Sequence, residues 1–285
     1  MPRILIAGCG YVGQAAADLF HERGWKVEGW TASVQSAGQL AAKPYAVRAV
    51  DITNTEEVSA LGVQFDVIVH CASSAGGDAG KYRQIYLEGA RTLLGAFPRA
   101  MLIYTGSTSV YAQQHGVLVD ETSPANPVHE KGRVLRETEE LVLARHGIVV
   151  RLAGIYGPGR SFLLQKFLAG EAVLNRENDR FINQAHRDDI VSALFLLAER
   201  RVGLEGQIFN VVDDQPILTS DAYQWLSAHL QTPLPAGSIA AGRKRGNSNK
   251  RVSNKKLRAL GWEVRFPGLA AGMTNSVLPS FGFER

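Results

Sequence analysis

Six residues near the start of the chain constrain its fold more than any other feature: Gly8-Cys9-Gly10-Tyr11-Val12-Gly13. They follow the apolar run Arg3–Ala7, which has the length of a buried strand. They lead into Tyr11–Arg23, where Val12, Ala15, Ala16, Leu19 and Phe20 recur at helical spacing before Gly24. In such a strand–turn–helix the first glycine permits the tight turn. The second lets an anionic group approach bare backbone, and the third lets the helix pack closely on the strand. Free N–H groups and the helix dipole then face that charge. A tight turn with no ligand is the plainer alternative. Its placement between strand and helix favours a site for the pyrophosphate of a dinucleotide.

The pattern repeats along the chain. Strands are expected at Lys26–Trp30, Ala46–Val50, Phe65–His70, Met101–Thr105, Ile148–Leu152 and Gln207–Val212. Amphipathic helices are expected at Lys81–Phe97, Lys131–His146 and Arg187–Glu199. This alternation predicts an α/β fold, a doubly wound parallel sheet of Rossmann type with helices on both faces. After Leu152 the pattern loosens through the Gly/Pro-rich stretch 153–160. The expected organisation is a dinucleotide-binding domain over 1–153, with 183–212 returning to it. A smaller C-terminal substrate-binding region takes 154–182 and 213–285.

Composition narrows the function. With 285 residues, 45% of them hydrophobic, the chain can bury a large core. A net charge of +4 suits an anionic small ligand and is too diffuse to argue for nucleic acid. Cys9 and Cys71 are the only cysteines, too few for a disulfide framework or a zinc site. No apolar run is long enough for a signal peptide or a membrane span. A cytoplasmic protein is therefore expected, with no metal and no membrane or nucleic-acid partner.

The end of the second strand bears on the cofactor. An acid there would hold the adenosine ribose of NAD. Glu28 lies inside the strand, and neutral Thr31 stands at the expected position. Nothing at Thr31 repels a 2′-phosphate, and no arginine stands beside it in the sequence to bind one. The cofactor is read as NAD or NADP, with a lean to NADP.

Further short motifs follow in order: Asp51-Ile52, His70-Cys71-Ala72, Ser107-Thr108-Ser109-Val110-Tyr111, Ile155-Tyr156-Gly157-Pro158-Gly159-Arg160, His186-Arg187-Asp188-Asp189, Phe209-Asn210-Val211 and Lys250-Arg251-Val252-Ser253-Asn254. With the glycine turn they resemble the extended short-chain dehydrogenase/reductases, the family of NAD-dependent epimerases and dehydratases that act on nucleotide sugars. The likeness runs over nearly the whole chain. It implies that Gly8, Gly10, Tyr11, Val12, Gly13, Thr31, Asp51, Ile52, Cys71 and Ala72 bind the cofactor. It implies that Ser107 is the catalytic hydroxyl and that Ser109, Tyr111, Tyr156 and Arg160 face a small, sugar-like or phosphate-bearing substrate. The family's habit of dimerising implies a homodimer.

The chain departs from the family on the helix after Ser107. The family carries Tyr-x-x-x-Lys there, spaced so that both side chains share a helix face. Registering the helix on Gly132 and Glu139 puts Lys131 and Leu135 at those positions. No tyrosine lies between Tyr111 and Tyr156. Loss of a positioned acid or base costs about 10²–10⁴ in rate. Three accounts stay open. Lys131 is itself the acid, Tyr111 or Tyr156 reaches in from a loop, or the protein binds cofactor as a sensor or regulator without turnover. A wet helix-start lysine with its stem on Leu135 is the plain alternative for Lys131. The turn's Gly-x-Gly start, in place of the family's Gly-x-x-Gly, also points to the subgroup of atypical short-chain dehydrogenases.

Other candidates have bland readings. Cys9 and Cys71 end strands expected to be neighbours and read as small buried residues. His70 reads as structural. His186, Asp188 and Asp189 lack further spaced ligands for a metal, and one of the two acids is expected to cap the next helix. The segment 243–258 carries eight basic residues and no acid. It reads first as a solvated loop, then as a holder of substrate phosphate, and last as a nucleic-acid contact, since it lacks interleaved aromatics.

Overall fold

A computed structural model describes residues 1–74, 76–172, 174, 179–234 and 248–283. Two compact units divide the chain. The first comprises Met1–Val110, Pro127–Arg151 and Ile190–Phe209; the second comprises Tyr111–Asn126, Leu152–Asp189 and Asn210–Arg285.

The first unit opens with β1 (Arg3–Ala7), α1 (Tyr11–Glu22), β2 (Lys26–Thr31), α2 (Val34–Gln39), β3 (Ala46–Ala49), α3 (Thr55–Ala60) and β4 (Val67–His70). Next come α4 (Ala79–Tyr82), a turn of π-helix at Arg83–Glu88, α5 (Gly89–Ala96) and β5 (Met101–Ser107). After β6 (Val117–Val119), which belongs to the second unit, α6 (Glu130–Ala144) and β7 (Ile148–Leu152) follow. The seven-stranded parallel sheet has the order β11-β7-β5-β4-β1-β2-β3, with β11 at Ile208–Val211. Read from the other edge, the first six strands follow the doubly wound order 3-2-1-4-5-6. The chain reverses direction across the sheet between β1 and β4, whose register pairs Ala7 with His70.

Buried apolar runs explain the central strands: Ile4, Leu5, Ile6, Val67, Ile68 and Val69 are essentially inaccessible. One layer of the core joins Leu5, Trp30, Ile68, Leu93, Phe97 and Leu102 with α3, α5 and α6. The expected helix over 81–97 is interrupted by the π turn. There His70 Nε2 approaches the Tyr86 carbonyl at 3.3 Å, an oxygen that also takes a backbone N–H at the end of the turn.

In the second unit, β8 (Gly154–Tyr156) pairs in parallel with β10 (Gln184–His186), and β9 (Phe181–Ile182) pairs with β12 (Ile217–Leu218). β13 (Lys250–Val252) pairs in parallel with β6. That pairing draws Tyr111–Asn126 into this unit, and no local sequence pattern signals it. A separate core joins Tyr156, Leu164 and Phe167 of α7 (Phe162–Leu168), Leu226 of α9 (Thr219–Leu230), and Met273. α8 (Arg187–Glu199) begins in the second unit and continues in the first. Among the described residues, no helix is long and apolar enough to cross a membrane.

Candidate functional site

The glycine turn is built at three levels of crowding. Gly8 has φ +112°, and a Cβ there would lie 2.3 Å from Ala72 N. A Cβ on Gly13 would lie 2.1 Å from the Gly8 carbonyl oxygen. A Cβ on Gly10 would meet nothing within 4 Å. Gly8 and Gly13 are thus required by the protein's own packing, whereas Gly10 borders open space. Gly10 caps α1 without any side-chain hydrogen bond, and the first turn carries no acidic residue. Its N–H groups and positive dipole end fit an anion. Tyr11 is half-buried beside this turn and Val12 is buried beneath it.

The neighbouring strand ends supply the other expected contacts. The Thr31 hydroxyl lies 3.1 Å from the Ser33 carbonyl oxygen and 3.4 Å from that of Arg48. Buried Glu28 accepts from Trp30 Nε1 at 2.9 Å and pairs with Arg48 at 3.3 Å, both through Oε1. Arg48, in register with Trp30, meets Thr31 through its backbone carbonyl, while its guanidinium is held by Glu28. Asp51 is exposed, with one carboxylate oxygen taken by Thr53 N and Oγ1. Ile52 is buried against Gly89. Cys71 Sγ donates to the Gly8 carbonyl at 3.2 Å, and Cys9 Sγ packs against Gly29. Burial pushes the Cys9 thiol up to about 12 and Cys71 higher still, so neither is a ready thiolate. Burial pulls His70 down to about 4, which keeps it neutral.

At the end of β5, Ser107 Oγ accepts from Ser109 N at 3.2 Å, and Ser109 is exposed. Lys131, in the first turn of α6, is exposed. Its ammonium donates to the Gly77 carbonyl and stands 5.1 Å from the Tyr82 ring centroid. Both contacts tie it to the loop after β4 and to α4. Leu135 is buried. Deeper on α6, Glu139 receives Arg151 of β7 through two bonds of 2.9 and 2.7 Å, and Arg136 adds a third at 3.1 Å. The sequence used Glu139 only to register the helix and did not single out Arg151. The signal was a charge in the middle of the apolar run Ile148–Leu152, which a buried partner must answer.

In the second unit, Tyr111 and Tyr156 are 0% and 1% exposed. The Tyr111 hydroxyl donates to Asn210 Oδ1 at 3.0 Å. Tyr156 packs edge-on against His186 and over Gly272, where a Cβ would lie 2.1 Å from its oxygen. Burial first, then the charges of Asp213 and Asp189, pushes its hydroxyl far above the usual tyrosine range. Exposed Arg160 bridges to Gly157. Asp188 and Asp189 of the His186 motif both stand in the first turn of α8. The Asp189 carboxylate accepts from Arg265 N and Phe266 N, and Asp188 N donates to His186 Nδ1. That last bond leaves the imidazole proton on Nε2, which faces Ser276 Oγ at 2.8 Å. Among the described residues, no group of three or more His, Cys, Asp or Glu converges as a metal site. Of the basic segment 243–258, the part through Asn247 lies outside the described residues.

Comparison with known proteins gives a consistent answer. The model of the NAD dependent epimerase/dehydratase family matches residues 4–211. Protein YeeZ of Escherichia coli K12 is 28% identical over 282 residues, covering 94% of this chain and 97% of YeeZ. A Methylobacillus flagellatus protein, provisionally assigned as an NAD-dependent epimerase/dehydratase, superposes with TM-score 0.80 at 28% identity, covering 95% and 96% of the two chains. A dTDP-glucose 4,6-dehydratase of Bacillus anthracis, solved in complex with NAD, superposes with TM-score 0.81 at 17% identity, covering 99% and 97%. At that identity it speaks to the fold alone, and the fold agrees with the strand order and glycine turn found here. This chain belongs to the NAD-dependent epimerase/dehydratase family.

Proposed function

We propose that the protein binds NAD or NADP at the glycine turn of its first unit. On this reading it is an epimerase, dehydratase or reductase acting on a small, sugar-like or phosphate-bearing substrate. The observation that carries the reading is the contrast at the turn: Gly8 and Gly13 are packed, and Gly10 faces open space at the start of α1, where no side chain caps the helix and no acid stands in its first turn. A glycine that no neighbour requires is explained by a ligand that approaches its backbone. Gly8, Gly10, Tyr11, Val12 and Gly13 would hold the pyrophosphate. Asp51 and Ile52 would lie along the adenine, and Cys71 and Ala72 along the next strand end. Neutral Thr31 carries no charge to repel a 2′-phosphate, which supports accommodation of NADP as well as NAD. The bound dinucleotide would supply hydride transfer.

Ser107 is assigned as the hydroxyl that hydrogen-bonds the reacting oxygen. Lys131 is assigned to hold the loop after β4, because its ammonium is engaged there. Tyr111 and Tyr156 are left out of the substrate set, since both are packed in the interior of the second unit. Ser109 and Arg160 are exposed and are kept in it.

A second reading, a cofactor-binding sensor without turnover, draws on the same residues, since none of these tyrosines nor Lys131 stands free to move a proton. One experiment separates the two. NADH and NADPH are titrated into the wild-type protein and Gly10→Val, and the protein is then screened on nucleotide sugars and carbonyl compounds. Binding that Gly10→Val weakens at least tenfold, with turnover that Ser107→Ala removes, supports the enzyme. Binding with no turnover supports the sensor. Absence of binding in the wild type overturns both.

A further inference from the structure

The chain has eight tyrosines, and packing removes most of them from proton chemistry. Tyr104, Tyr111, Tyr156 and Tyr223 are buried. The Tyr45 hydroxyl donates to Asp18 Oδ1 at 2.7 Å. Tyr11 stands beside the glycine turn, at the pyrophosphate end of the expected ligand. Tyr82 and Tyr86 remain, both half-buried. They are four positions apart, and their ring centroids are 5.0 Å apart. Tyr86 is the inner of the two. Its ring lies 6.5 Å from that of buried Tyr104, which lies 5.5 Å from His70. Tyr82 is the outer one. It meets Lys131, whose ammonium stands 5.1 Å from its ring centroid.

Topology places Tyr82 and Lys131 at the same edge of the sheet as Ser107. The helical stretch from α4 through α5 leaves the carboxyl end of β4 and returns to the amino end of β5. α6 returns to the amino end of β7 through residues 145–147, so its first turn also lies at the carboxyl edge. β5 stands between β4 and β7, and Ser107 is its last residue. Ligands of a doubly wound sheet lie along this edge. Three contacts fix where Tyr82 stands. Asp78 caps α4 by accepting from Lys81 N at 2.9 Å, Lys131 donates to the Gly77 carbonyl, and Arg83 pairs with Glu137 of α6 at 2.8 Å.

We propose that Tyr82 is the proton donor and acceptor that α6 lacks, and that Lys131 holds its ring in place. The assignment rests on the enzyme reading above. The tyrosine and the lysine of this site then come from two packed helices instead of one face of α6. Lys131 stands at the position where the family's tyrosine would be, and the ring it covers is Tyr82. The Tyr82 hydroxyl gives its proton to a substrate carbonyl oxygen as the carbon gains the hydride that a nicotinamide dinucleotide supplies. In the reverse direction it takes the proton of the alcohol. Exchange with water restores the phenol after each turnover.

The test compares Tyr82→Phe, Tyr86→Phe and the wild type on whichever nucleotide sugar or carbonyl compound the wild type turns over. Tyr82→Phe removes one oxygen and keeps the ring. It should lower kcat about 10²–10⁴, while the melting temperature and the Kd for NADH or NADPH stay at their wild-type values. Tyr86→Phe should leave kcat unchanged. A second readout needs no turnover. In protein labelled with fluorotyrosine, the fluorine resonance missing from Tyr82→Phe identifies Tyr82. NADH or NADPH should shift it, and ADP-ribose, which lacks the nicotinamide, should not. Full kcat in Tyr82→Phe, its loss in Tyr86→Phe instead, a dinucleotide Kd weakened along with kcat, or a resonance that ADP-ribose moves equally each overturn the assignment. Turnover that Ser107→Ala removes and Tyr82→Phe spares sinks Tyr82 and leaves the enzyme reading intact. Dinucleotide binding without any turnover sinks both.

Discussion

Three glycines in one turn answer differently to a methyl group. Gly8→Ala forces a side chain onto Ala72 N at φ +112°, and Gly13→Ala forces one onto the Gly8 carbonyl, so both should lower the unfolding midpoint in denaturant. The expected loss is about 1–3 kcal/mol, typical of overpacking. Gly10→Ala has room and should unfold like the wild type, within about 0.5 kcal/mol. Any effect it has should appear in dinucleotide affinity alone. Lys131 permits a similar separation. With its ammonium on the Gly77 carbonyl and over Tyr82, Lys131→Met should loosen the loop after β4 and raise the dinucleotide Kd about 3–10-fold, a cost of about 1 kcal/mol. If Lys131 were the acid, kcat would fall about 10²–10⁴ instead, and steady-state kinetics distinguish the two.

At the scale of elements, α6 is pinned to β7 by a buried pair. Arg151 grips Glu139 with two N–H groups along one edge of its guanidinium, and Glu139 is wholly inaccessible. Arg151→Ala would leave that buried carboxylate with Arg136 alone and should cost up to about 3–5 kcal/mol in urea unfolding, whereas replacing both Arg151 and Glu139 with apolar residues should cost much less. What the sequence revealed at this scale follows from physics that repeats along the chain. β1, β7 and α8 are legible because apolar spacing and bounding glycines mark them. α2 buries no residue at all, so Val34–Gln39 offers no periodic face to read. The π turn at Arg83–Glu88 is invisible because nothing in its own spacing marks it, and His70, which meets its Tyr86 carbonyl, lies 16 positions away on β4. The glycine turn was readable for the same reason that β1 was: its chemistry is local. Tyr111 was not, since its partner Asn210 is 99 positions away. Lys250 was readable only as one charge in a basic run until β6 fixed which way it faces.

For the whole molecule, buried titrating groups bound the pH range of stability from both sides. Burial pulls His70 and His186 down to about 4 from an ordinary 6.5. Their contribution is complete above about pH 6.5 and is lost as pH falls toward 4, because the unfolded chain binds those protons first. Asp213 works oppositely. Burial raises its carboxyl from 3.8 to about 8, so the folded protein holds the extra proton. That contribution is complete below about pH 4 and is lost as pH rises through 8. Unfolding midpoints measured from pH 4 to 9 should therefore peak in between. Asp213→Asn should flatten the alkaline side by at least about 1 kcal/mol at pH 8, and an unchanged profile would show that another group sets it.

The first unit is assembled from three separate stretches, the last ending at Phe209. On the ribosome, this imposes an order of events. β11, the sheet's edge strand beside β7, leaves the tunnel only after Tyr111–Asn126 and Leu152–Asp189 have done so. The nascent sheet must wait with β7 as a bare edge, a strand open to pairing with other chains. No gene fragment that stops before residue 209 encodes the complete sheet. A chaperone's claim on this protein should accordingly be strongest during the last third of its synthesis.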